Sequence, residues 1–313
     1  MQVDIGIDMG GTRIKVGLVR EGKLVATKTV AADAHETLSA RLETLAIEIN
    51  SLLTSNNATA SGVGIAFPGI VDPERLKILS RYVKFPDADG IDLRSWAMRH
   101  WGVGAALEND ARAALLGEWQ FGVGKNCKDL VLVTLGTGVG SAVLLNGNVL
   151  RGRNFIAGNL GGHLSINLHG RECNCGHTGC VESEASTWAL EDLVKSSPEF
   201  QTSLLKGKEK IDFNAVFDCA KNEDALALEV KENCLKAWSL GIINLILSYD
   251  PERVIIGGGI MNSKDLVIPY VREMISKNTW INSGEVELVA AEQIEFAAIL
   301  GMNYMLAQAR QKK

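Results

Sequence analysis

The chain has 313 residues, with 32 Lys and Arg against 37 Asp and Glu, a net charge of −5, and 46% hydrophobic residues. At about 100–200 residues per domain, this length favours two domains over one. A charged fraction of 22% is typical of folded globular proteins and argues against long disordered segments. The acidic balance argues against a broadly basic nucleic-acid-binding surface.

No stretch of the sequence predicts a membrane or export segment. The first eight residues contain two acids where a signal peptide would be basic, and the most apolar later segment, 241–249, is about half of the roughly 20 residues that cross a bilayer. Three of the six cysteines crowd into residues 173–180, which indicates a metal site rather than a disulfide framework. We therefore expect a cytoplasmic protein without membrane or nucleic-acid partners.

The first part of the chain has the order βββαβαβα, which predicts an α/β architecture with a mixed sheet covered by helices. The opening is a strand, a glycine turn and a strand over residues 5–19. Apolar spacing then predicts the later elements. These are strand 24–30, helix 36–53, strand 62–67, helix 91–100, strand 104–107 and helix 111–120.

The second part repeats this opening. Strands 130–134, 138–146 and 148–150 again enclose a glycine turn, and Gly136-Thr137-Gly138 echoes Gly10-Gly11-Thr12. Two copies of one unit predict two related domains that face a shared cleft. The remaining predicted elements are helices 184–194, 212–222 and 225–248, strand 253–256 and a final helix 296–311.

Three glycine turns each follow an apolar strand, at 8–12, 135–140 and 257–259. Such turns let backbone N–H groups approach a phosphate closely, and Asp8 at a strand end is suited to hold Mg²⁺ directly or through water. An ordinary hairpin turn explains the first turn alone equally well, but three such turns favour phosphate binding. Because the sequence has neither a lysine-bearing phosphate loop nor a GxGxxG motif, the nucleotide site must use another scaffold.

Asn109 and Asp110 lie between a predicted strand and a predicted helix. One interpretation is a helix N-cap, since Asp is among the residues preferred there. The other is a catalytic carboxylate, because a kinase needs a group that accepts the proton of its substrate's hydroxyl.

Three cysteines, Cys173, Cys175 and Cys180, follow His163. A Cys₃His set suits tetrahedral Zn²⁺, and four protein ligands leave no open position, so the zinc would be structural. His177 competes with His163 as the fourth ligand. The alternative is a set of buried free thiols, which this close spacing disfavours.

Together these motifs resemble the ROK family of bacterial sugar kinases and repressors, within the actin, hexokinase and Hsp70 ATPase superfamily. The matching blocks are 8–15, 67–69, 108–118, 135–152, 163–182 and 250–259. The resemblance implies two actin-like (ribonuclease H-like) α/β domains around a central cleft. The first would comprise residues 1–118 with the C-terminal helix 296–313, and the second residues 119–295 with a zinc loop at 163–182. Repressor members carry a helix-turn-helix domain ahead of the core, and a DxGGT block that begins at residue 8 favours the kinase.

The resemblance also implies a role for each matching residue. Asp110 would be the general base and Asn109 would bind a neighbouring sugar hydroxyl. The residues implied for the ATP phosphates and Mg²⁺ are Asp8, Gly10, Gly11, Thr12, Lys15, Gly136, Thr137 and Gly138, with Gly257 and Gly258 near the adenosine. Those implied for the sugar are Gly69, Asn159, His163 and Glu182, and those for the zinc are His163, Cys173, Cys175 and Cys180. The expected activity is ATP-dependent phosphorylation of a hexose at its 6-hydroxyl by a homodimer.

One departure from the family pattern bears on the substrate. The family usually has Ala-Gly-Glu-x-Gly-His, whereas residues 157–163 are one residue longer and carry Asn159 near the Glu position. An amide accepts hydrogen bonds more weakly than a carboxylate, which predicts relaxed discrimination or a sugar other than glucose, such as an N-acetylated or epimeric hexose, allose or fructose. The alternative is that Gly161-Gly162 bulges outward and Asn159 faces solvent in a normal glucokinase. A non-catalytic sugar sensor is the remaining hypothesis, and Asp110 argues against it.

Overall fold

The computed structural model describes residues 1–11, 13–32, 37–80, 85–277, 280, 286–293 and 295–311. The chain divides into two compact units. The first unit comprises Met1–Asn126, Arg151–Ala157 and Glu292–Lys313, and the second comprises Cys127–Leu150 and Gly158–Ala291.

This division differs from the predicted one at residues 119–126, 151–157 and 292–295, which belong to the first unit. The buried carboxylate of Glu118 explains two of the three differences. It accepts hydrogen bonds from the backbone N–H of Val123 at 3.1 Å and of Gln293 at 2.7 Å. The unit therefore extends beyond the predicted boundary on both sides.

The first unit is built on a five-stranded sheet in the order β3-β2-β1-β4-β7. Its strands are β1 (Gln2–Met9), β2 (Arg13–Arg20), β3 (Lys23–Ala31), β4 (Thr59–Phe67) and β7 (Ala105–Asn109), with a separate pair formed by β5 (Val71–Asp72) and β6 (Lys77–Ile78). Its first helices are α1 (Leu38–Ser55), α2 (Leu93–Trp101) and α3 (Asp110–Phe121). β1, β2 and β3 pair antiparallel, whereas β1, β4 and β7 run parallel.

The second unit repeats this sheet in the order β10-β9-β8-β11-β12. Its strands are β8 (Leu130–Leu135), β9 (Val139–Leu145), β10 (Asn148–Val149), β11 (Arg253–Gly257) and β12 (Glu287–Ala290), and its helices are α4 (Val181–Ala185), α5 (Thr187–Lys195), α6 (Phe213–Lys221), α7 (Ala225–Tyr249) and α8 (Lys264–Ser276). The first three strands again pair antiparallel and the last two run parallel. The repeat predicted from the two glycine turns is therefore present in the topology.

Burial follows from the position of each strand in its sheet. β1 is the central strand and is buried on both faces, whereas the edge strand β3 alternates between exposed and half-buried residues. Helix starts follow from their cap residues, because a side-chain oxygen there satisfies a free backbone N–H. The caps that accept such a bond from the residue three positions later are Thr37, Asp92, Asn109, Asp212 and Asp224.

The last helix, α9 (Ala297–Gln311), belongs to the first unit. It packs backbone against backbone on α3 because both helices have glycine at the crossing. A Cβ at Gly301 would lie 1.8 Å from the carbonyl oxygen of Ala113, and one at Gly117 would lie 1.9 Å from that of Ala297. The contact requires glycine on both helices.

Two of the differences from the predicted elements have local causes. The predicted helix 184–194 is two helices, α4 and α5, because Ser186 has an extended backbone (ψ 163°) between them. Helix α8 was not predicted, because it contains Pro269, a residue that normally interrupts helices. Strand β12 was not predicted either. Among the described residues, no helix is both long and apolar enough to cross a bilayer.

Candidate active site

In the first unit, three predicted site segments end parallel strands of one sheet. Asp8 lies near the end of β1, Gly69 follows β4, and Asn109 ends β7. Because parallel strands end at the same edge of a sheet, this edge collects the polar residues, as ligand sites in open α/β sheets commonly do.

Asn109 is the residue that caps α3. Its Oδ1 accepts a hydrogen bond from the backbone N–H of Arg112 at 3.1 Å, and its Nδ2 donates to the Gly69 carbonyl at 3.0 Å and to Asp110 Oδ1 at 2.9 Å. Asp110 Oδ1 also accepts from the N–H of Ala111 at 2.8 Å. The N-cap interpretation therefore applies to Asn109, whereas Asp110 is the first residue of the helix.

The environment of Asp110 changes its acidity. Burial and, after it, the negative charge of Asp8 raise the pKa of this carboxyl from 3.8 to about 7, against the opposing hydrogen bonds from Ala111 and Asn109. The pKa of Asp8 is itself raised by burial, while the nearby Lys15 lowers it. A carboxylate with a pKa near neutral pH is suited to accept a proton in a general-base step.

The first glycine turn depends on Gly10, because a Cβ there would lie 2.5 Å from the carbonyl oxygen of Arg13. Lys15 Nζ donates to the carbonyl of Glu295 at 3.0 Å. Gly69 has φ +126°, and a Cβ there would lie 2.4 Å from Ser80 Oγ. Gly11 lies in the same turn as Gly10, and Thr12 lies outside the described residues.

Sequence reasoning missed a buried charge network beside Asn109. The Glu108 carboxylate is fully buried; its Oε1 accepts from the N–H of Asn109 at 3.0 Å, and its Oε2 accepts from Arg151 Nε at 3.0 Å and Nη2 at 2.5 Å. The Arg112 guanidinium, also fully buried, lies 3.9 Å from Glu108. Burial, opposed by the charge of Glu108 and assisted by that of Arg151, lowers the pKa of Arg112 to about 10.

Arg112 also fixes the segment 151–157 in the first unit. Its Nη1 donates to the carbonyl of Phe155 at 3.0 Å and its Nη2 to that of Ala157 at 2.8 Å. The opposite charges of Glu108 and Arg112, four residues apart, were the available signal for this network. Nothing in the sequence indicated Arg151 as its partner.

In the second unit, the other two glycine turns follow neighbouring parallel strands. Gly257 at the end of β11 pairs with Thr134 near the end of β8. Gly258 has φ +89°, and a Cβ there would lie 2.2 Å from the carbonyl oxygen of Leu135. The third turn is therefore packed against the second, and this contact requires glycine.

The second turn, Gly136–Gly138, is bound to Glu182 and to the start of α5. Glu182 Oε2 accepts from the N–H of Val139 at 2.8 Å, and its Oε1 accepts from Trp188 Nε1 at 3.1 Å. The carbonyls of Gly136 and Thr137 accept from the N–H groups of Thr187 at 3.1 Å and Trp188 at 3.2 Å. Sequence reasoning assigned Glu182 to the sugar and missed Trp188.

The Gly161-Gly162 insertion packs inward, contrary to the alternative that it bulges to solvent. The N–H of Gly161 donates to Ser141 Oγ at 2.8 Å, and a Cβ at Gly162 would lie 1.9 Å from the carbonyl oxygen of Val139. Asn159 is only 7% exposed. Its Oδ1 is buried without a hydrogen-bond partner among the described residues, so the side chain does not face solvent.

The predicted metal ligands come together. The donor atoms of His163, Cys173, Cys175 and Cys180 all lie within 4.8 Å of one another. Cys173 Sγ is 3.5 Å from His163 Nδ1, and Cys175 Sγ is 3.7 Å from Cys180 Sγ. A tetrahedral Zn²⁺ places two sulfurs about 3.8 Å apart and a sulfur and a nitrogen about 3.5 Å apart. The four residues therefore fit zinc.

Metal binding at this cluster is coupled to the deprotonation of its thiols. Burial raises the pKa of Cys173, and burial followed by the neighbouring thiols Cys175 and Cys173 raises that of Cys180 to about 12. A divalent cation offsets both effects, because it stabilises the thiolate. His177, the competing ligand, is exposed and outside the cluster; its carbonyl accepts from the N–H of Cys173 at 2.8 Å.

The proteins to which this chain is similar include glucokinases and a xylose repressor. A glucokinase of Thermotoga maritima is 35% identical over 307 residues, 95% of this chain and 95% of the relative. The crystal structure of a ROK family glucokinase from Streptomyces griseus in complex with glucose and AMPPNP is 27% identical, with a TM-score of 0.80 over 98% of this chain and 99% of that chain. A xylose repressor of Bacillus spizizenii is 27% identical over 79% of this chain and 61% of the repressor.

The two α/β units share one sheet topology, and this is the actin-like ATPase fold of the ROK sugar kinases. The similarity to glucokinases supports the assignment of this protein to the sugar kinases. The model of the ROK family matches residues 4–309. The chain belongs to the ROK family, as the sequence motifs predicted.

Proposed function

We propose that this protein transfers the γ-phosphate of ATP to a hydroxyl of a hexose, with Asp110 as the general base. The observation that carries the proposal is the Asp110 carboxyl itself, with its pKa raised to about 7 beside Asp8 and held by Asn109. A base with this pKa is about half ionised at pH 7 and takes up a proton readily. The 6-hydroxyl is the proposed acceptor, since a primary hydroxyl is the least hindered.

The sugar would contact Gly69, Asn109, Asn159, His163 and Glu182. Asn109 is held by Gly69 and by the start of α3, so its position beside Asp110 is set before a substrate arrives. Such preorganisation lowers the entropic cost of bringing the hydroxyl to the base. His163 Nδ1 lies next to Cys173 Sγ and would bind the zinc. His163 Nε2 would then form a hydrogen bond with a sugar hydroxyl.

ATP would lie on the glycine turns. Backbone N–H groups of Gly10, Gly11 and Gly138, with the hydroxyls of Thr12 and Thr137, are suited to phosphate oxygens, and Gly257 and Gly258 to the adenosine. Gly136 would shape the phosphate turn, since its N–H donates to the Gly138 carbonyl at 3.0 Å. Asp8, a carboxylate near a strand end, would hold Mg²⁺, which neutralises the charge of the transferring phosphoryl group. Lys15, whose ammonium bonds to Glu295, adds positive charge beside Asp8.

Zinc on His163, Cys173, Cys175 and Cys180 would have a structural role, because all four positions are filled by protein. It would fix the loop that carries His163 and, two residues after Cys180, Glu182.

Family resemblance further supports a homodimer.

The substrate we propose is a hexose that places a hydrogen-bond donor on Asn159. The buried Oδ1 of this residue lacks a partner among the described residues, and an unpaired buried acceptor costs about 1–3 kcal/mol. A sugar N–H or O–H at this point removes that cost. An N-acetylated or epimeric hexose is therefore a candidate beside glucose.

A coupled ATP assay with glucose, mannose, allose, fructose, N-acetylglucosamine and N-acetylmannosamine tests the proposal. NMR of the product identifies the phosphorylated hydroxyl. The second candidate is a sugar-responsive regulator without catalysis, which the xylose repressor relative favours. Sugar binding without turnover of any sugar in the panel would support that function and contradict the kinase.

A further inference from the structure

Glu182 and Trp188 support the Gly136–Gly138 turn from one side. The indole Nε1 of Trp188 donates to Glu182 Oε1 at 3.1 Å, and the backbone N–H of Trp188 donates to the Thr137 carbonyl at 3.2 Å. Glu182 Oε2 accepts the N–H of Val139 at 2.8 Å. The two side chains therefore form one connected path from α5 to the residue that follows the turn.

This support compensates for the intrinsic freedom of the turn. Glycines have wide backbone freedom, and a phosphate-binding turn has to present its N–H groups in one orientation. Gly138 packs so closely on the carboxylate that a Cβ there would lie 2.5 Å from Glu182 Oε2. Glu182 is 9% exposed and Val139 is 6% exposed, so water competes little for these bonds.

We propose that Glu182 and Trp188 are positioning residues for the nucleotide phosphates, acting through the Gly136–Gly138 turn. The inference rests on the proposed function and adds to the sugar role that family resemblance gives Glu182. An ionised carboxylate has about four acceptor positions, and two are used here, so sugar hydroxyls can occupy the others. Glu182 would then connect the sugar to the phosphate turn, whereas Trp188 acts on the nucleotide side alone.

The deciding variant is Trp188→Phe in the full-length protein. It removes the indole donor, keeps the backbone N–H to Thr137, and is readily accommodated because Trp188 is 39% exposed. Dissociation constants are measured by calorimetry for MgADP without sugar and for the preferred sugar without nucleotide, together with KM for ATP. Trp101→Phe is the matched control, since its indole also donates a hydrogen bond, to Asn50 at 2.7 Å, and neither Trp101 nor Asn50 is among the proposed site residues.

We expect Trp188→Phe to weaken MgADP and raise KM for ATP by about three- to tenfold, the effect of one hydrogen bond, with sugar affinity within about twofold. Glu182→Gln, whose amide has one oxygen for two N–H donors, should weaken MgADP by about tenfold or more. The double variant should be no weaker than Glu182→Gln, because both changes break the same path.

Unchanged MgADP affinity in folded Trp188→Phe, a loss confined to the sugar, or additive effects in the double variant would each overturn the inference. Thermal unfolding alongside Trp101→Phe verifies that the variant is folded. If the parent protein phosphorylates a hexose while Trp188→Phe binds MgADP normally, only this inference is wrong. If the parent protein binds no nucleotide, the proposed function is wrong as well.

Discussion

Arg151 donates two hydrogen bonds to the buried carboxylate of Glu108, from Nε at 3.0 Å and from Nη2 at 2.5 Å. The other oxygen of Glu108 accepts the N–H of Asn109, the residue that caps α3 and bonds to Asp110. The Glu108–Arg151 pair, whose members are 43 positions apart, is thus connected to the proposed base Asp110 through Asn109.

We expect Glu108→Ala to reduce the free energy of unfolding by about 3–5 kcal/mol, because it leaves the buried guanidinium of Arg112 without its counter-charge. Urea unfolding measures this loss. Glu191→Ala is the control, since Glu191 pairs with Lys195 on the surface and should change the value by less than about 0.5 kcal/mol. A loss below about 1 kcal/mol for Glu108→Ala would contradict the importance of the network.

Asp110→Asn should lower kcat by about 10²–10⁴-fold while sugar affinity largely persists, because the amide keeps the shape of the side chain and loses the proton acceptor. Steady-state kinetics and sugar calorimetry measure the two effects. The same change at Asp92, the exposed cap of α2, should leave kcat unchanged, because Asn also caps helices. Near-normal turnover of Asp110→Asn would show that another group is the base.

The pH dependence follows from the pKa of Asp110, which is about 7 in the folded chain against an ordinary value of 3.8 for an aspartate. The base acts when ionised, so kcat/KM should rise with pH through a midpoint near that value.

The same raised pKa of Asp110 means that the folded state holds the proton more tightly than the unfolded state does. The contribution of Asp110 to stability is fully present below the ordinary aspartate pKa of 3.8 and is lost as the pH rises through the folded pKa of about 7.

Asp110→Asn removes this titration. The melting temperature of the variant, relative to the parent protein, should therefore increase between about pH 5 and pH 8. Differential scanning fluorimetry at both pH values measures the change. A difference in melting temperature that is independent of pH would argue against a raised pKa.

The protein purified without added zinc should contain about one equivalent of zinc per chain, measured by metal analysis. Cys175→Ser and His163→Ala should each lose the metal and lower the melting temperature. His177→Ala is the matched control, because His177 is exposed and outside the cluster. Metal-free protein with full activity and an unchanged melting temperature would rule the site out.

Asn159→Ala should lower kcat/KM for the preferred sugar by about tenfold or more and reduce discrimination within the sugar panel. The reason is that alanine lacks the buried Oδ1 that would accept a hydrogen bond from the sugar. Asn159→Glu, which restores the residue usual in the family motif, should favour glucose. Asn214→Ala on the exposed side of α6 is the control. A strong glucose preference that is the same in the parent protein and in Asn159→Ala would show that the departure has no effect on specificity.

Local interactions explain why much of the molecule was predictable. Strand and helix periods, cap residues and glycine turns act over a few neighbouring residues, so the α/β class, the repeated opening and the position of Asp110 at the start of α3 follow from short segments. The cysteine spacing likewise indicated a metal site, because ligands within eight residues, such as Cys173 and Cys180, come together in one loop.

Long-range packing determined the remaining features, because the local sequence around a residue does not indicate which distant side chain it will contact. Three features join segments that are far apart in the chain. They are the pairing of Glu108 with Arg151, the contact of Glu182 with Val139, and the inclusion of 151–157 in the first unit. The inward packing of Gly162 depends equally on a close approach to another strand. Motifs therefore indicated which residues carry the chemistry, whereas the folded arrangement determines what holds each of them in place.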